Sequence, residues 1–229
     1  MLSAIRSPHA VRRHQTGLSM VELMVGVAIG LFVVAGATMA VSNQLGDNRR
    51  LMLETQIQQD LRASADVIAR ELRRSGYWAR AQDGVWYAGA TSVATNPYTQ
   101  MTPASGVTND VRFGYSRGAE NNVVDLNEQT GFRLSGSAIQ MLIGGQWQAL
   151  TDSSTLRITD FRVTLLTQDV PLACLNPCPM GAPACPPTQT VRDVRVEISG
   201  AAVFDPSVQR NARSQVRLRN DVVNGACPA

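Results

Sequence analysis

Glu22 and four cysteines are the residues of this chain whose type and spacing promise chemistry. Glu22 stands at the head of an apolar run. The 24 residues from Leu23 to Gly46 carry no charge, enough for a membrane-spanning helix of about 20 residues. A carboxylate at the centre of a bilayer costs about 2.5 to 3.5 kcal/mol, and less near an interface, so Glu22 calls for a compensating cation. Cys174, Cys178, Cys185 and Cys227 all fall in the last quarter of the chain. Their gaps lack the paired CxxC spacing typical of a four-thiolate zinc site, and disulfides are the expected outcome. Of the three possible connectivities, the nested one is preferred, Cys174 with Cys227 and Cys178 with Cys185. No metal and no other cofactor is expected.

Other chemistry is excluded by what the chain lacks. His9 and His14 both precede Gly17, so the chain beyond that glycine has no imidazole. All 21 basic residues are arginines. Nucleophile arrangements built on His or Lys, and zinc sites that use His, therefore have no residues to build them. No phosphate-binding glycine loop is present. No catalytic residue is nominated, and the expected role is binding, not catalysis. The net charge is +3, and Arg6, Arg12 and Arg13 in the leader account for it. The remainder is close to neutral, and charge gives no reason to expect nucleic-acid binding.

A short basic leader, Gly17, the apolar Leu18 and then Glu22 at the fifth position beyond that glycine together resemble the class III signal of type IV prepilins and the related pseudopilins. The resemblance implies cleavage between Gly17 and Leu18 by a membrane-embedded prepilin peptidase, with N-methylation of the new terminus on Leu18. Leu18 departs from the Phe most often found at that place. Cleavage would leave an ammonium group on Leu18 in an apolar setting, where Glu22 of a neighbouring subunit is a suitable partner: two charges too costly to bury alone become tolerable together. Arg12 and Arg13 hold the N-terminus in the cytoplasm and send the rest outward, into a bacterial periplasm where disulfides form.

The elements that carry these residues follow from periodicity. Residues 1–17 are a targeting segment. From Leu18 a helical pattern runs to Ser75, about 58 residues or roughly 87 Å. Residues 18–46 are the apolar, membrane-spanning half, and residues 47–75 are amphipathic. Leu45, Leu53, Ile57, Leu61, Ile68 and Leu72 form the stripe, with Asp66 and Arg70 as an i,i+4 pair on the solvated side. Gly26 and Gly30 put two small residues on one face, a pattern that permits close helix packing in membranes or simply reflects the frequency of glycine there. Arg73, Arg74, Ser75 and Gly76 supply the stop.

Residues 76–229 read as a β-rich head. An irregular connection over 76–110, with one short strand, is packed by Tyr77-Trp78 and Trp86-Tyr87. Short alternating strands follow at Val111–Tyr115, Phe132–Leu134, Ile139–Met141, Gln146–Leu150, Leu156–Ile158 and Phe161–Leu165, arranged as an antiparallel meander. Six prolines and three cysteines over 171–187 predict a crosslinked loop without regular structure. Val191–Ser199 and Ala212–Val222 are the last strands. In the latter, Val216 and Leu218 face the core while Arg213, Arg217 and Arg219 form a solvated face.

The fold class is thus α+β, a pilin-like lollipop with a long N-terminal helix packed on an antiparallel sheet domain. With Glu71-Leu72-Arg73-Arg74-Ser75-Gly76-Tyr77-Trp78 at the helix end, a meander and a final Arg-rich strand, the layout resembles the PilW family of minor type IV pilins. That resemblance implies a protein stored in the inner membrane, with its head in the periplasm. It would help to initiate pilus assembly and be incorporated at or near the tip, with other minor pilins and the major pilin as partners. A minor pseudopilin of the J type in type II secretion is the related alternative, and a tip adhesin or DNA-uptake receptor is the alternative of another class.

Overall fold

The structure, a computed structural model, describes residues 17, 19–84, 94–118, 120–182 and 184–228. Helix α1 runs from Met20 to Arg74, 55 residues. The chain divides into two compact units, Met1–Arg49 and Arg50–Ala229. In the first unit, residues 20–49 of the helix are exposed on every face, with Met20 at 83% and Phe32 at 85%. Leu45, which the periodicity places on the inner stripe, is 57% exposed here.

In the second unit the helix becomes one-sided. Ile57, Leu61, Ser64, Ala65, Ile68, Ala69, Glu71 and Leu72 are buried, a stripe at intervals of three and four that a helix lines up on one face. The expected ion pair of Asp66 with Arg70 is absent from these described residues, and Arg50 with Glu54 makes the exposed i,i+4 pair, 3.3 Å. The helix stops where Gly76 takes a positive φ of 75°, the left-handed geometry that ends helices cheaply only at glycine. Gly76 N–H then donates to Gly114 O, 2.9 Å, and Ser116 N–H donates to Tyr77 O, 2.8 Å. The end of the helix is thereby tied to a strand.

The strands are β1 (Met101–Thr102), β2 (Gly106–Thr108), β3 (Asp110–Gly114), β4 (Gln129–Ser135), β5 (Ala138–Ile143), β6 (Gln146–Ala149), β7 (Leu156–Pro171), β8 (Thr188–Ala202), β9 (Gln209–Arg217) and β10 (Val222–Asn224). They form two sheets instead of one meander. The first has the order β1-β3-β4-β5-β6, and the second has β10-β8-β7-β2 with β9 also paired to β8. All pairings are antiparallel. The turn between β5 and β6 is Gly144-Gly145, both with positive φ, 57° and 78°, as the two-residue hairpin turns whose twist matches the strands require.

Three strand readings are corrected by these pairings. Leu156–Ile158 and Phe161–Leu165 are one strand, β7, whose register shifts between Ile158 and Asp160. Leu156 and Ile158 are buried before the bulge, and Phe161, Val163 and Leu165 after it. The extra residue changes the parity of the inward positions, which reads in a sequence as a break. The Ala212–Val222 strand is instead two pieces along one edge of β8: β9 pairs with Asp193–Ala201, and β10 pairs with Thr188–Thr190. Between 76 and 110 there are two short strands, β1 and β2, not one. Trp78 is buried, Tyr77 is half exposed, and Trp86-Tyr87 lie outside the described residues.

The core joins the inner face of the helix, from Ile57 to Leu72, to Phe132 and Ile139 of the first sheet. It continues through Phe161, Val163, Val194, Val196 and Ile198 of the second, all at most 3% exposed.

Candidate functional site

At the N-terminal end, Ser19 O accepts the Leu23 N–H at 3.1 Å, which opens the helix one residue before Met20. Glu22 lies in the first turn and is exposed. A carboxylate there is favoured by the positive end of the helix dipole, yet among the described residues nothing pairs with it. Gly17 is exposed, and Leu18 and the basic leader lie outside the described residues. A methyl group added at Gly26 or Gly30 would meet nothing. The apolar half of the helix, long and apolar enough to cross a membrane, thus presents Glu22, Gly26 and Gly30 on a surface that none of the described residues covers.

In the head the polar residues are arranged for cohesion. Glu71, 7% exposed, accepts a hydrogen bond from the Tyr115 hydroxyl at 2.6 Å. Arg117 bonds the same hydroxyl and reaches Glu71 at 3.5 Å. Two guanidinium groups, those of Arg74 and Arg117, each lie 4.4 Å from the centroid of the Tyr115 ring. A second centre is Glu128, 2% exposed. Its burial favours the neutral acid, but the Arg117 and Asp125 N–H groups and the Tyr98 hydroxyl, at 3.0, 3.0 and 2.8 Å, outweigh that and hold its pKa below the ordinary value. Burial, with the bonds to Glu128 and Glu120, keeps the Tyr98 phenol well above its usual range. Arg192 is buried in β8 and donates to Thr99 O at 2.8 Å and Asn220 O at 2.7 Å.

The cysteines stand together at the other end of the head. Cys174 is bonded to Cys227, and Cys178 to Cys185. The sulfurs of Cys174, Cys178 and Cys185 lie within 4.8 Å of one another, but oxidised sulfurs offer no thiolates to a metal. Leu175 and Met180 within this loop are fully exposed.

Of the predicted arginine face, Arg213 pairs with Glu197 at 3.1 Å and Arg217 with Asp221 at 3.3 Å, while Arg219 is in no ion pair among the described residues; Arg210, also on β9, pairs with Glu54. Two of the three predicted arginines are thus offset by carboxylates, which lowers the positive charge offered to phosphate backbones.

Residues 50–218 match the model of the family described as prepilin peptidase-dependent protein B. The chain belongs to that family. Residues 12–38 match the prokaryotic N-terminal methylation motif, so a member of the prepilin peptidase-dependent protein B family here carries the prepilin-type signal as well, and the protein is type IV pilin-like. The family match begins at Arg50, where the second compact unit begins. It makes no statement about the PilW family in particular. No curated protein and no solved structure matches the chain.

Several residues that organise the head escape sequence reasoning: Tyr115, Arg117, Glu128, Tyr98 and Arg192. One signal existed for this network. Glu71 occupies a position on the inner stripe, three residues beyond Ile68, and an inward carboxylate requires a donor.

Proposed function

We propose that this protein is a minor pilin that helps initiate assembly of a type IV pilus and is incorporated at or near its tip. Prepilin peptidase cleaves after Gly17, the amine of Leu18 is methylated, and the head lies in the periplasm while the apolar helix is stored in the inner membrane. On assembly the helix leaves the bilayer for a bundle of similar helices, those of the major pilin and other minor pilins. Glu22 there neutralises the amine of a neighbour, with Gly26 and Gly30 on the packing face. The observation that supports this reading above others is the stretch of helix from Met20 to Gly46, exposed on every face, whose one charged residue is Glu22 in the first turn.

The test is intact-mass measurement of the membrane-extracted protein, joined to co-purification with other pilins. A terminus at Leu18 carrying one added methyl is expected. A terminus elsewhere, or a properly processed chain that associates with no pilin, refutes the reading. The J-type pseudopilin role uses the same chemistry, and a secretion operon around the gene would select it. The pairing of Arg213 and Arg217 with carboxylates, which leaves Arg219 alone of the predicted stripe, disfavours the DNA-receptor alternative.

A further inference from the structure

Within the second unit, the turn joining β8 to β9 carries Phe204, 81% exposed. Of the aromatic residues described in this unit it is the most exposed, ahead of Tyr77 at 50%. The turn is a firm one. Ala202 N–H donates to Val208 O at 3.0 Å, Val203 N–H to Thr155 O at 3.1 Å, and Asp205 accepts from the Ser207 N–H and hydroxyl, 3.1 and 2.6 Å. Phe204 is therefore held outward by a built hairpin end.

The turn also lies beside the first helical residues of this unit. Arg210, opposite Gly200 in the β8–β9 pairing, is ion-paired with Glu54. Glu54 also binds Arg50, and the Arg50 charge acts on the Asp205 carboxylate. Leu51 and Met52, 59% and 72% exposed, follow Arg50 directly. Arg50 lies four helical steps beyond Gly46, the last residue of the uncharged run, about 6 Å at 1.5 Å per residue. The polar interface of a bilayer is about that deep on each side.

We propose that the β8–β9 turn is a membrane-interface contact, in which Phe204, with Leu51 and Met52, enters the acyl–headgroup boundary while the helix is stored in the bilayer. This rests on the membrane-anchored reading above. The occupant is lipid because the run that needs a bilayer ends four residues from Arg50, and exposed aromatic and aliphatic side chains are the composition that partitions into that boundary. Electrostatic attraction contributes little: Arg50 and Arg210 are offset by Glu54 and Asp205. The contact also restrains the head while stored, and extraction of the helix during assembly releases it.

The experiment uses the full chain in vesicles of zwitterionic lipid, with and without brominated acyl chains, and reads the tryptophan emission added by Phe204→Trp over wild type. Flotation with the vesicles is checked first, since a wild-type chain that does not float refutes the anchored reading and this contact together. For a floating protein, the added emission is expected at short wavelength, with most of it lost in brominated lipid. The loss should be equal at low and high salt and in anionic vesicles. Leu175→Trp is the control: the cysteine loop precedes β8 and the turn follows it, and fifteen residues of strand span roughly 46 Å, so its emission should be unquenched. A floating Phe204→Trp protein with unquenched added emission, or with quenching confined to anionic vesicles at low salt, overturns the contact and leaves the anchor intact.

Discussion

The hydroxyl of Tyr115 lies 2.6 Å from Glu71 Oε2 and so fastens the last turn of α1 to the segment that follows β3. A buried carboxylate without its donors keeps the cost of desolvation, and hydrogen bonds to charged groups are worth about 1.5 to 3 kcal/mol. Tyr115→Phe removes the hydroxyl and keeps the ring against Arg74 and Arg117. We expect it to lower unfolding stability by about 1.5 to 3 kcal/mol, read by denaturant titration in detergent. Glu71→Gln, which keeps an acceptor for the hydroxyl, should cost less. An unchanged midpoint for Tyr115→Phe would show that this bond does not tie the helix to the sheet.

The same pair marks what was legible in the chain. The helix, its stripe from Ile57 to Leu72 and its end at Gly76 were legible because helical periodicity and stop residues act over a few positions. Most strands were too, by alternation. Which strand pairs with which was not, because β2 pairs with β7 across more than fifty residues, and local pattern says nothing of so distant a partner. Glu71 and Tyr115 are 44 residues apart. Glu22 was singled out because it violates a local rule, a charge at the head of an apolar run. Phe204 violates none, since a single exposed apolar residue in a turn is ordinary until its surroundings are known.

Glu128 sets an acid limit on the head. Its folded-state pKa is depressed, net of the burial that opposes this, by the N–H groups of Arg117 and Asp125 and the Tyr98 hydroxyl. A depressed carboxyl contributes stability in full above the unfolded value, near 4.3, and loses it as pH falls through the folded value. The head should therefore weaken progressively below about pH 4.3. Glu128→Gln should lower stability at neutral pH and flatten that acid slope. A slope identical to wild type would remove Glu128 from the account.

Gly131 in β4 leaves no room for a side chain: a Cβ there would sit 2.7 Å from Val111 O and 3.2 Å from Arg112 Cγ. The first obstacle is backbone within a paired strand, so relief requires β3 and β4 to separate. Gly131→Ala is expected to destabilise by about 1 to 3 kcal/mol, seen as a lower melting temperature with the disulfides intact. Gly136→Ala, where the added Cβ meets nothing but φ is +61°, is the contrast that isolates backbone strain from collision.

The disulfides should differ in weight. Cys174–Cys227 spans 53 residues and Cys178–Cys185 spans seven. On the loop-entropy account these correspond to about 4 and 2.4 kcal/mol. Cys174→Ser with Cys227→Ser should thus lower stability more than Cys178→Ser with Cys185→Ser. The first pair also anchors the chain beyond β10, so its loss should free that end to proteolysis. Non-reducing peptide mapping of the native protein checks the pairing. Crossed pairs, or four free thiols with stoichiometric zinc, would overturn it.

For Glu22 two accounts of a carboxylate in an apolar helix forecast opposite results. If it merely burdens a membrane anchor, Glu22→Leu should leave the protein equally abundant, membrane-bound and functional, since removing a charge from lipid eases insertion. If it neutralises the terminal amine of a neighbouring subunit, the same change should leave insertion and cleavage intact yet impair entry into the filament, because an unpaired buried charge costs several kcal/mol at each contact. Glu22→Gln keeps the shape without the charge and should behave like Glu22→Leu. Glu22→Asp keeps the charge at shorter reach and should fall between. The exposure of Glu22 and the absence of a partner among the described residues leave its carboxylate free for a second chain. Processing, measured by intact mass, and piliation with co-purified pilins, measured in strains carrying each variant, separate the two accounts. Normal piliation with Glu22→Leu would reduce Glu22 to a burden on the anchor.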